Sequence, residues 1–167
     1  MKETSAEIRW QIASKSASSL PVLYTIILRD YFGEESDRIA EEVWCHAGSG
    51  VSELATGLDL ATDPADRLAS GLLEILQTLF GTEFRGEILD LSSDRAVLLI
   101  NRCPFLLRSV EFGRPTPAIF HPCMAFCVSA TETLNGDYSV RFIRAMCMGD
   151  KNCELRVASK EYLDKCS

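Results

Sequence analysis

The sequence has little histidine, little positive charge and no long apolar run. His46 and His121 are the only imidazoles among its 167 residues that a catalytic mechanism could use. The most apolar run, LPVLYTIIL at 20–28, is far shorter than the ~20 residues that a membrane-spanning helix needs. Lysine and arginine total 17 against 24 acidic residues, and the net charge of -7 argues against sequence-independent binding to nucleic acid, which requires a basic surface. We therefore expect neither a membrane nor a nucleic acid as a partner.

Several familiar functional motifs are also missing. The chain has no Walker-type phosphate loop, dinucleotide fingerprint, serine nucleophile elbow or zinc-protease motif. No apolar signal segment follows Met1, because Lys2, Glu3 and Glu7 interrupt the N-terminus. Because seven cysteines occur without such a segment, we expect a cytoplasmic protein whose thiols stay reduced.

What the sequence does contain suffices for one globular domain. Apolar residues make up 47% of the chain and charged residues 25%, which is too apolar for disorder. We expect residues 1–18 to form an N-terminal helix that contacts a second subunit, residues 19–160 to form the domain, and residues 161–167 to form a tail. A homodimer is the expected assembly.

Helical patterns dominate the first third of the chain. Residues 3–17 predict a mostly polar helix, and residues 20–28 predict a second, buried helix with Pro21 in its first turn. Beyond residue 34, apolar residues keep helical spacing across Gly48 and Gly50. This pattern predicts one long helix or two helices joined at the glycines, and we favour the long helix with a weak point there.

The second half changes from helical to strand patterns. A capped apolar stripe that begins after Pro64 and ends at Gly81 predicts the last helix before them. Prolines and glycines predict an irregular segment over 104–122, and residues 123–134 have helical composition. Short apolar or alternating runs predict four strands, at 83–91, 96–101, 138–142 and 153–157. This order predicts an α+β fold, with N-terminal helices packed on a twisted antiparallel sheet of four or five strands.

The spacing of four cysteines suggests a metal site. Cys123 and Cys127 are four residues apart, which places both sulfur atoms on one face of a helix. Cys147 and Cys153 flank a turn, and their thiols face each other if the two strands pair directly. If the helix packs over this hairpin, four thiolates converge as zinc prefers, with no open position for water. We therefore predict a structural zinc ion as the cofactor.

Other roles for these cysteines stay open. Free cysteine is often only a small buried apolar residue, and common metal signatures use a two-residue spacer. A disulfide or a redox switch is a second alternative. A third is a thiol-dependent hydrolase of a small cyclic substrate, with Cys123 or Cys127 as nucleophile and His121 as base.

Three segments of the second half carry a family resemblance: NRCPF at 101–105, HPCMAFC at 121–127 and CMGDKNCELRV at 147–157. They resemble the 4-vinyl-reductase-type domain family, in which a Cys-Pro element, a helix-opening cysteine and a Gly-Asp-x-x-Cys hairpin occur in this order. The helical segments at 23–43 and 71–81 are similar to that family and to the aminothiazoline-carboxylate hydrolase-like proteins. Together the resemblance covers about residues 20–157.

The resemblance implies a fold shared with haem-based nitric-oxide sensors and with a Golgi vesicle-tethering subunit. It also implies an enclosed apolar pocket, sensing of a small molecule or hydrocarbon, and a metal site at the cysteines. Cys123 and Cys153 match cysteines of the family, whereas Ala145 stands where a further thiol is expected and Cys147 follows two residues later. No haem is implied, because neither histidine falls in a haem-ligand motif.

The expected function is therefore non-enzymatic binding or sensing of a small apolar or aromatic ligand. We expect the pocket to be lined by Leu72, Leu76 and Phe80 on a helix and by Val140 and Phe142 on a strand. A solid core is the alternative for these side chains, because protein interiors close-pack. A scaffold or dimerisation subunit without a ligand is a further alternative, based on the amphipathic N-terminal helix.

Overall fold

A computed structural model of the chain describes residues 3–92, 94–114 and 117–165. Within them, a helical layer packs on one sheet. The helices are α1 (Ala6–Phe32), α2 (Ser36–Ser49), α3 (Val51–Gly57), α4 (Ala65–Phe80), α5 (Pro104–Glu111), α6 (Phe120–Leu134) and α7 (Lys160–Lys165). The strands are β1 (Arg85–Leu91), β2 (Arg95–Arg102), β3 (Tyr138–Arg144) and β4 (Cys153–Ser159). None of the described helices combines the length and hydropathy that crossing a bilayer needs.

The sheet has four antiparallel strands in the order β1-β2-β4-β3. Leu98 of β2 pairs with Leu155 of β4, and Val157 of β4 pairs with Val140 of β3. These side chains are buried, and α4 packs against β1, β2 and β4. The α+β fold with an antiparallel sheet is therefore confirmed.

The first helix differs from its prediction, because residues 6–32 form one helix of 27 residues with Pro21 inside it. Proline lacks the N–H of a helical hydrogen bond and disfavours a helix interior. Ser14, Ser18, Val22 and Ile26 are nevertheless buried at four-residue intervals on both sides of Pro21. Continuous burial of one helix face therefore outweighs the missing hydrogen bond.

After residue 34 the alternative with two helices joined at the glycines is correct and the favoured single long helix is wrong, because the chain forms α2 and α3 with a break at Gly50. The backbone N–H of Gly50 donates to the carbonyl oxygen of His46, 3.2 Å away, which ends α2. Gly48 has a different role. A Cβ atom at this position would lie 2.5 Å from the carbonyl oxygen of Phe126, so α2 and α6 approach backbone to backbone.

The segment 104–122, predicted as irregular, contains α5 and the beginning of α6. Pro104 is the first residue of α5, a position where the missing N–H costs nothing. The residues predicted as a tail form α7 up to Lys165, and Leu163 is buried there. The last two positions of that tail lie outside the described residues.

Candidate ligand-binding site

A cavity of about 540 Å³ lies within the helical layer. Its first wall is α1, which contributes residues from Ala17 to Leu28, so the cavity follows about 16 Å of helix. Its second wall is α2, which contributes Ala40, Val43, Trp44 and Ala47. The small side chains of Ala17 on α1 and of Ala40 and Ala47 on α2 contribute to the space between the two helices.

Four aromatic rings form the floor of this cavity: Trp44, Phe80, Phe105 and Phe126. The centroids of Phe80 and Phe105 are 4.6 Å apart, and those of Trp44 and Phe105 are 4.8 Å apart. Both pairs meet edge to face, the arrangement that aromatic quadrupoles favour. The floor therefore combines residues of α2, α4, α5 and α6 in one rigid cluster.

A buried ion pair holds α5 in place beneath the cavity. The side chain of Arg108 is only 1% exposed, and its Nη2 atom donates to both carboxylate oxygens of Glu83, at 2.8 and 2.7 Å. Its Nη1 atom lies 3.1 Å from Glu111 Oε2. Arg108 lies one helical turn after Phe105, so this pair fixes the helix that carries part of the floor.

The walls of the cavity offer few polar groups. Its lining contains three side chains with a polar atom, those of Tyr24, Thr25 and Trp44. The Thr25 hydroxyl donates to the carbonyl oxygen of Pro21 at 2.9 Å, and Tyr24 is 66% exposed at the rim. The indole N–H of Trp44 therefore remains as the only other side-chain donor among the lining residues. Such a cavity suits a ligand that is almost entirely apolar.

The cavity opens to solvent between α1 and α2. Leu20 and Tyr24 of α1 and Val43 and Ala47 of α2 both line it and are exposed. We call these four residues the mouth. A ligand can enter here without unfolding either helix.

One of the five residues predicted from the sequence lines this cavity. Phe80 belongs to its floor, whereas Leu72 and Leu76 are packed in the core beside the sheet. Val140 and Phe142 line a separate surface depression between α6, β3 and α7. The walls from α1 and α2 were missed, although residues 16–28 contain no charged residue, a signal that could have indicated them.

The cysteines gather at one end of the sheet. Cys123 of α6 shares a hydrogen bond with Cys127, and it interacts electrostatically with Cys103, Cys147 and Cys153. The backbone N–H of Met146 donates to the sulfur of Cys153 at 3.3 Å. The helix thiol and the hairpin thiols are thus neighbours, while Cys127 points into the core cluster.

Burial suppresses ionisation of these thiols. It raises the pKa of Cys147 to about 12 and that of Cys153 to about 11, and the neighbouring Cys123 adds to both shifts. The hydrogen bond with Cys127, and then burial, raise the pKa of Cys123 well above its usual value. At neutral pH these groups are therefore protonated in the metal-free chain, and a protonated thiol is a poor nucleophile.

The predicted zinc site gains no support from this arrangement. In the part of the chain that the structure describes, no group of three or more histidine, cysteine, aspartate or glutamate side chains is placed to hold a metal ion. Zinc bound by Cys123, Cys127, Cys147 and Cys153 stays a prediction. About one equivalent of zinc in the purified protein, lost in Cys153→Ser, would support it, whereas zinc-free protein with titratable thiols would refute it.

The hydrolase alternative is not favoured by the position of His121. Its ring packs against Phe120 with a centroid distance of 5.3 Å, and its Nδ1 atom lies 3.8 Å from Glu41 Oε1 at the surface. A general base must reach the proton that it removes, and it must be paired with a thiol that ionises. The hydrogen bond with Cys127 and burial raise the pKa of Cys123, which disfavours Cys123 as the nucleophile.

Comparisons with known proteins bear on the fold. No family model and no curated protein matches the sequence. A trafficking protein particle complex subunit 3 from Naegleria fowleri, covalently bound to palmitic acid, matches with a TM-score of 0.59 and 15% identity, over 92% of this chain and 96% of that chain. The phenol-responsive sensory domain of the transcription activator PoxR, solved with phenol, matches with a TM-score of 0.58 and 20% identity, over 87% of this chain and 75% of that chain. The two matches show that the three proteins share a fold. The fold implied by the family resemblance is therefore confirmed, whereas membership of the family is not shown.

Proposed function

We propose that this chain is a non-enzymatic binding module that holds a small apolar ligand between α1 and α2. The observation that carries the proposal is the cavity of about 540 Å³ with apolar walls, an aromatic floor and a mouth. Small-molecule sites typically enclose about 300–1,000 Å³ and are mostly apolar. The almost entirely apolar lining, more than the volume, supports an apolar ligand.

The dimensions of the cavity favour an elongated hydrocarbon. A cavity of about 150 Å³ accommodates one benzene molecule, and the present cavity is more than three times larger. It also extends along α1 rather than forming a compact chamber. An alkyl chain or a molecule with several fused rings would fill it, with any polar group left in water at the mouth.

The two structural neighbours support this ligand class. One of them carries palmitic acid and the other was solved with phenol, so both ligands are largely apolar. Zinc and a homodimer are separate proposals. Neither is needed for the cavity to hold a ligand, and no step of the present proposal depends on a metal.

Trp44 provides the test, because it lies in the floor and the chain has only one other tryptophan. Trp10→Phe leaves Trp44 as the sole tryptophan. Titration of this variant with palmitic acid should change the Trp44 fluorescence saturably, and phenol should do so only at much higher concentration.

A matched pair of variants locates the binding. Ala17→Phe places a ring in the cavity, whereas Ala13→Phe places the same ring on the exposed surface one turn earlier in α1. We expect palmitic acid to bind Ala17→Phe at least about tenfold more weakly than Ala13→Phe, which corresponds to about 1.4 kcal/mol. Equal binding by both variants, or no saturable change with either ligand, would overturn the proposal.

A further inference from the structure

Strand β3 forms one edge of the sheet. The order β1-β2-β4-β3 gives it a single partner, β4, and within the described residues no further strand pairs with it. An edge strand presents backbone N–H and C=O groups that can pair with another chain. Extended peptides bind to proteins at edges of this kind by adding a strand to the sheet.

The hydrogen-bond register shows which backbone groups of β3 point away from β4. The carbonyl oxygen of Asp137 accepts from the N–H of Lys160 at 2.9 Å, so these two residues form a hydrogen-bonded pair. Such pairs alternate with non-hydrogen-bonded pairs in an antiparallel ladder, so the polar groups of Tyr138, Val140 and Phe142 point to the free edge. The N–H of Tyr138 is bonded within the preceding turn. Val140 and Phe142 therefore present their backbone groups to an incoming chain.

A surface depression of about 450 Å³ follows this edge. The four residues from Ser139 to Phe142 all line it, although consecutive side chains of a strand point to opposite faces. The depression therefore runs along the edge of β3 rather than over one face of the sheet. Phe120 and Met124 of α6 form an apolar wall on one side of it, where the rings of Phe120 and Phe142 meet edge to face with centroids 5.8 Å apart.

The face of β3 opposite to this apolar wall is basic. Arg141 lies directly across the ladder from Arg156 of β4, and like charges in such a pair repel each other. Arg144 follows on the same strand, 3.8 Å from Glu154 of β4. Three arginines therefore stand beside one glutamate on these two strands. An acidic side chain placed next to Arg141 would be attracted by this group.

The charged residues that line the depression itself include both signs. Glu132 and Lys160 pair with each other at 3.1 Å, and Arg141 and Asp164 are the other two charged residues of the lining. Asp164 belongs to α7, which follows the end of β4, and that end pairs with the first residue of β3. The negative charge thus lies toward the beginning of β3, while the arginines lie in its middle and at its end.

Charge also indicates which occupant fits this edge. In an antiparallel pairing of β3 with a second copy about a two-fold axis, Val140 of one copy pairs with Phe142 of the other. The two Arg141 side chains then lie opposite each other and repel. An acidic segment replaces this repulsion by attraction, so charge complementarity favours an acidic partner over a second copy of the chain.

We propose that the edge of β3 binds an extended segment of a partner protein in which apolar and acidic residues alternate. The segment adds an antiparallel strand, the direction that all strands of this sheet share and the more stable one per residue. Its apolar residues lie opposite Val140 and Phe142 and enter the depression beside Phe120 and Met124. The acidic residue between them lies beside Arg141. The cavity between α1 and α2 takes no part, so this inference is independent of the proposed function.

A synthetic peptide tests the proposal. The probe alternates glutamate and valine over seven residues, has blocked ends and carries a fluorescent label. Titration followed by fluorescence anisotropy should show saturable binding to the unaltered chain. The same peptide with lysine in place of glutamate should bind at least about tenfold more weakly. Equal binding of the two peptides, or no saturable binding of the glutamate peptide, would overturn the proposal.

Methylation of the peptide backbone tests whether a strand is added. In the antiparallel arrangement the valine amides lie opposite Val140 and Phe142 and donate to β3, whereas the glutamate amides point to solvent. Methyl groups on the three valine nitrogens should therefore abolish binding, and three on glutamate nitrogens should leave most of it. The amides of Val140 and Phe142 should also exchange their hydrogens more slowly in the complex. Equal effects of the two methylation patterns would refute the added strand.

Two variants with the same charge reversal locate the binding. Arg141→Glu should weaken binding of the glutamate peptide at least about tenfold. Arg85→Glu reverses an exposed arginine on β1, the opposite edge of the sheet, and should bind the peptide as the unaltered chain does. Circular dichroism of both variants checks that the sheet is intact. Equal affinity of the two folded variants would place the peptide elsewhere and overturn the proposal.

Discussion

The two halves of the molecule pack in different ways. Where α4 meets the sheet, Leu68, Leu72 and Ile75 contact a strand face whose Leu98 and Leu155 are completely buried. Where α1 meets α2, alanines and Pro21 face each other and a cavity remains. The comparison shows that one chain can close-pack its sheet half and leave a cavity between two helices of its helical half. We call these regions the solid half and the hollow half.

The hollow half needs support that the solid half does not. Its floor depends on four aromatic rings from four helices, and α5 is fixed there by the ion pair between Arg108 and Glu83. Glu83 belongs to the turn that follows α4. The pair therefore ties the hollow half to the solid half.

Truncation of a leucine in each half gives the largest expected contrast. Leu72→Ala removes a fully buried side chain from the solid half and should lower the free energy of unfolding by about 4 kcal/mol. Leu28→Ala removes a half-buried side chain beside an existing cavity, and should cost about 1 kcal/mol. Chemical denaturation of both variants measures the difference.

In ligand binding the same two variants should differ in the opposite way, with the larger effect in Leu28→Ala. Palmitic acid affinity should change in Leu28→Ala and stay constant in Leu72→Ala, as long as the latter remains folded. If Leu72→Ala altered binding and not stability, Leu72 would line the pocket, as the sequence suggested, and the division into two halves would be wrong.

The solid half was largely predictable from the sequence. The stripe of leucines before Gly81 and the alternation around Val140 and Leu155 each follow one periodicity, and α4 and the sheet form where these patterns occur. At these positions burial on one face and local propensity favour the same secondary structure, so the local sequence pattern is sufficient to predict it.

The hollow half was predicted less well, for a physical reason. Pro21 predicts the beginning of a helix, but burial of one helix face from Ser14 to Ile26 carries the helix through it. A cavity depends on how whole helices pack against each other, and Ala17 and Ala40 taken singly give no sign of it. The cysteine spacing did indicate that helix and hairpin thiols lie together, and burial raises the pKa of the hairpin thiols, while a bound zinc ion stays a prediction.

Loss of the ion pair between the halves should have a smaller effect than Leu72→Ala. Glu83→Ala leaves the buried guanidinium of Arg108 without its closest carboxylate, and should lower the free energy of unfolding by about 2 kcal/mol. Glu111→Ala is the control, because Glu111 is half exposed and its pair should contribute less than about 1 kcal/mol. Equal losses in the two variants would mean that Arg108 depends no more on Glu83 than on Glu111.

Alkaline pH should produce the smallest of these effects, through the buried thiols at the end of the solid half. The pKa of Cys153 is raised from 9.0 to about 11, so the folded state keeps its proton while the unfolded chain releases it. The stabilising contribution is complete below pH 9 and decreases as the pH rises from 9 through 11, because the unfolded state then binds fewer protons. Over that interval we expect Cys153 to account for a loss on the order of 1 kcal/mol, reduced by its partial contact with solvent.

Two cysteine variants separate the contribution of Cys153 to the pH dependence of stability from the contributions of tyrosines and lysines, which titrate in the same pH range. Thermal unfolding of Cys153→Ala should depend less steeply on pH between 9 and 11 than that of the unaltered chain. Cys45→Ala should retain the full dependence, because Cys45 is exposed and lies outside the cluster. An identical pH dependence in both variants would show that Cys153 ionises as readily in the folded chain as in the unfolded one, and that the solid half admits water where the cysteines gather.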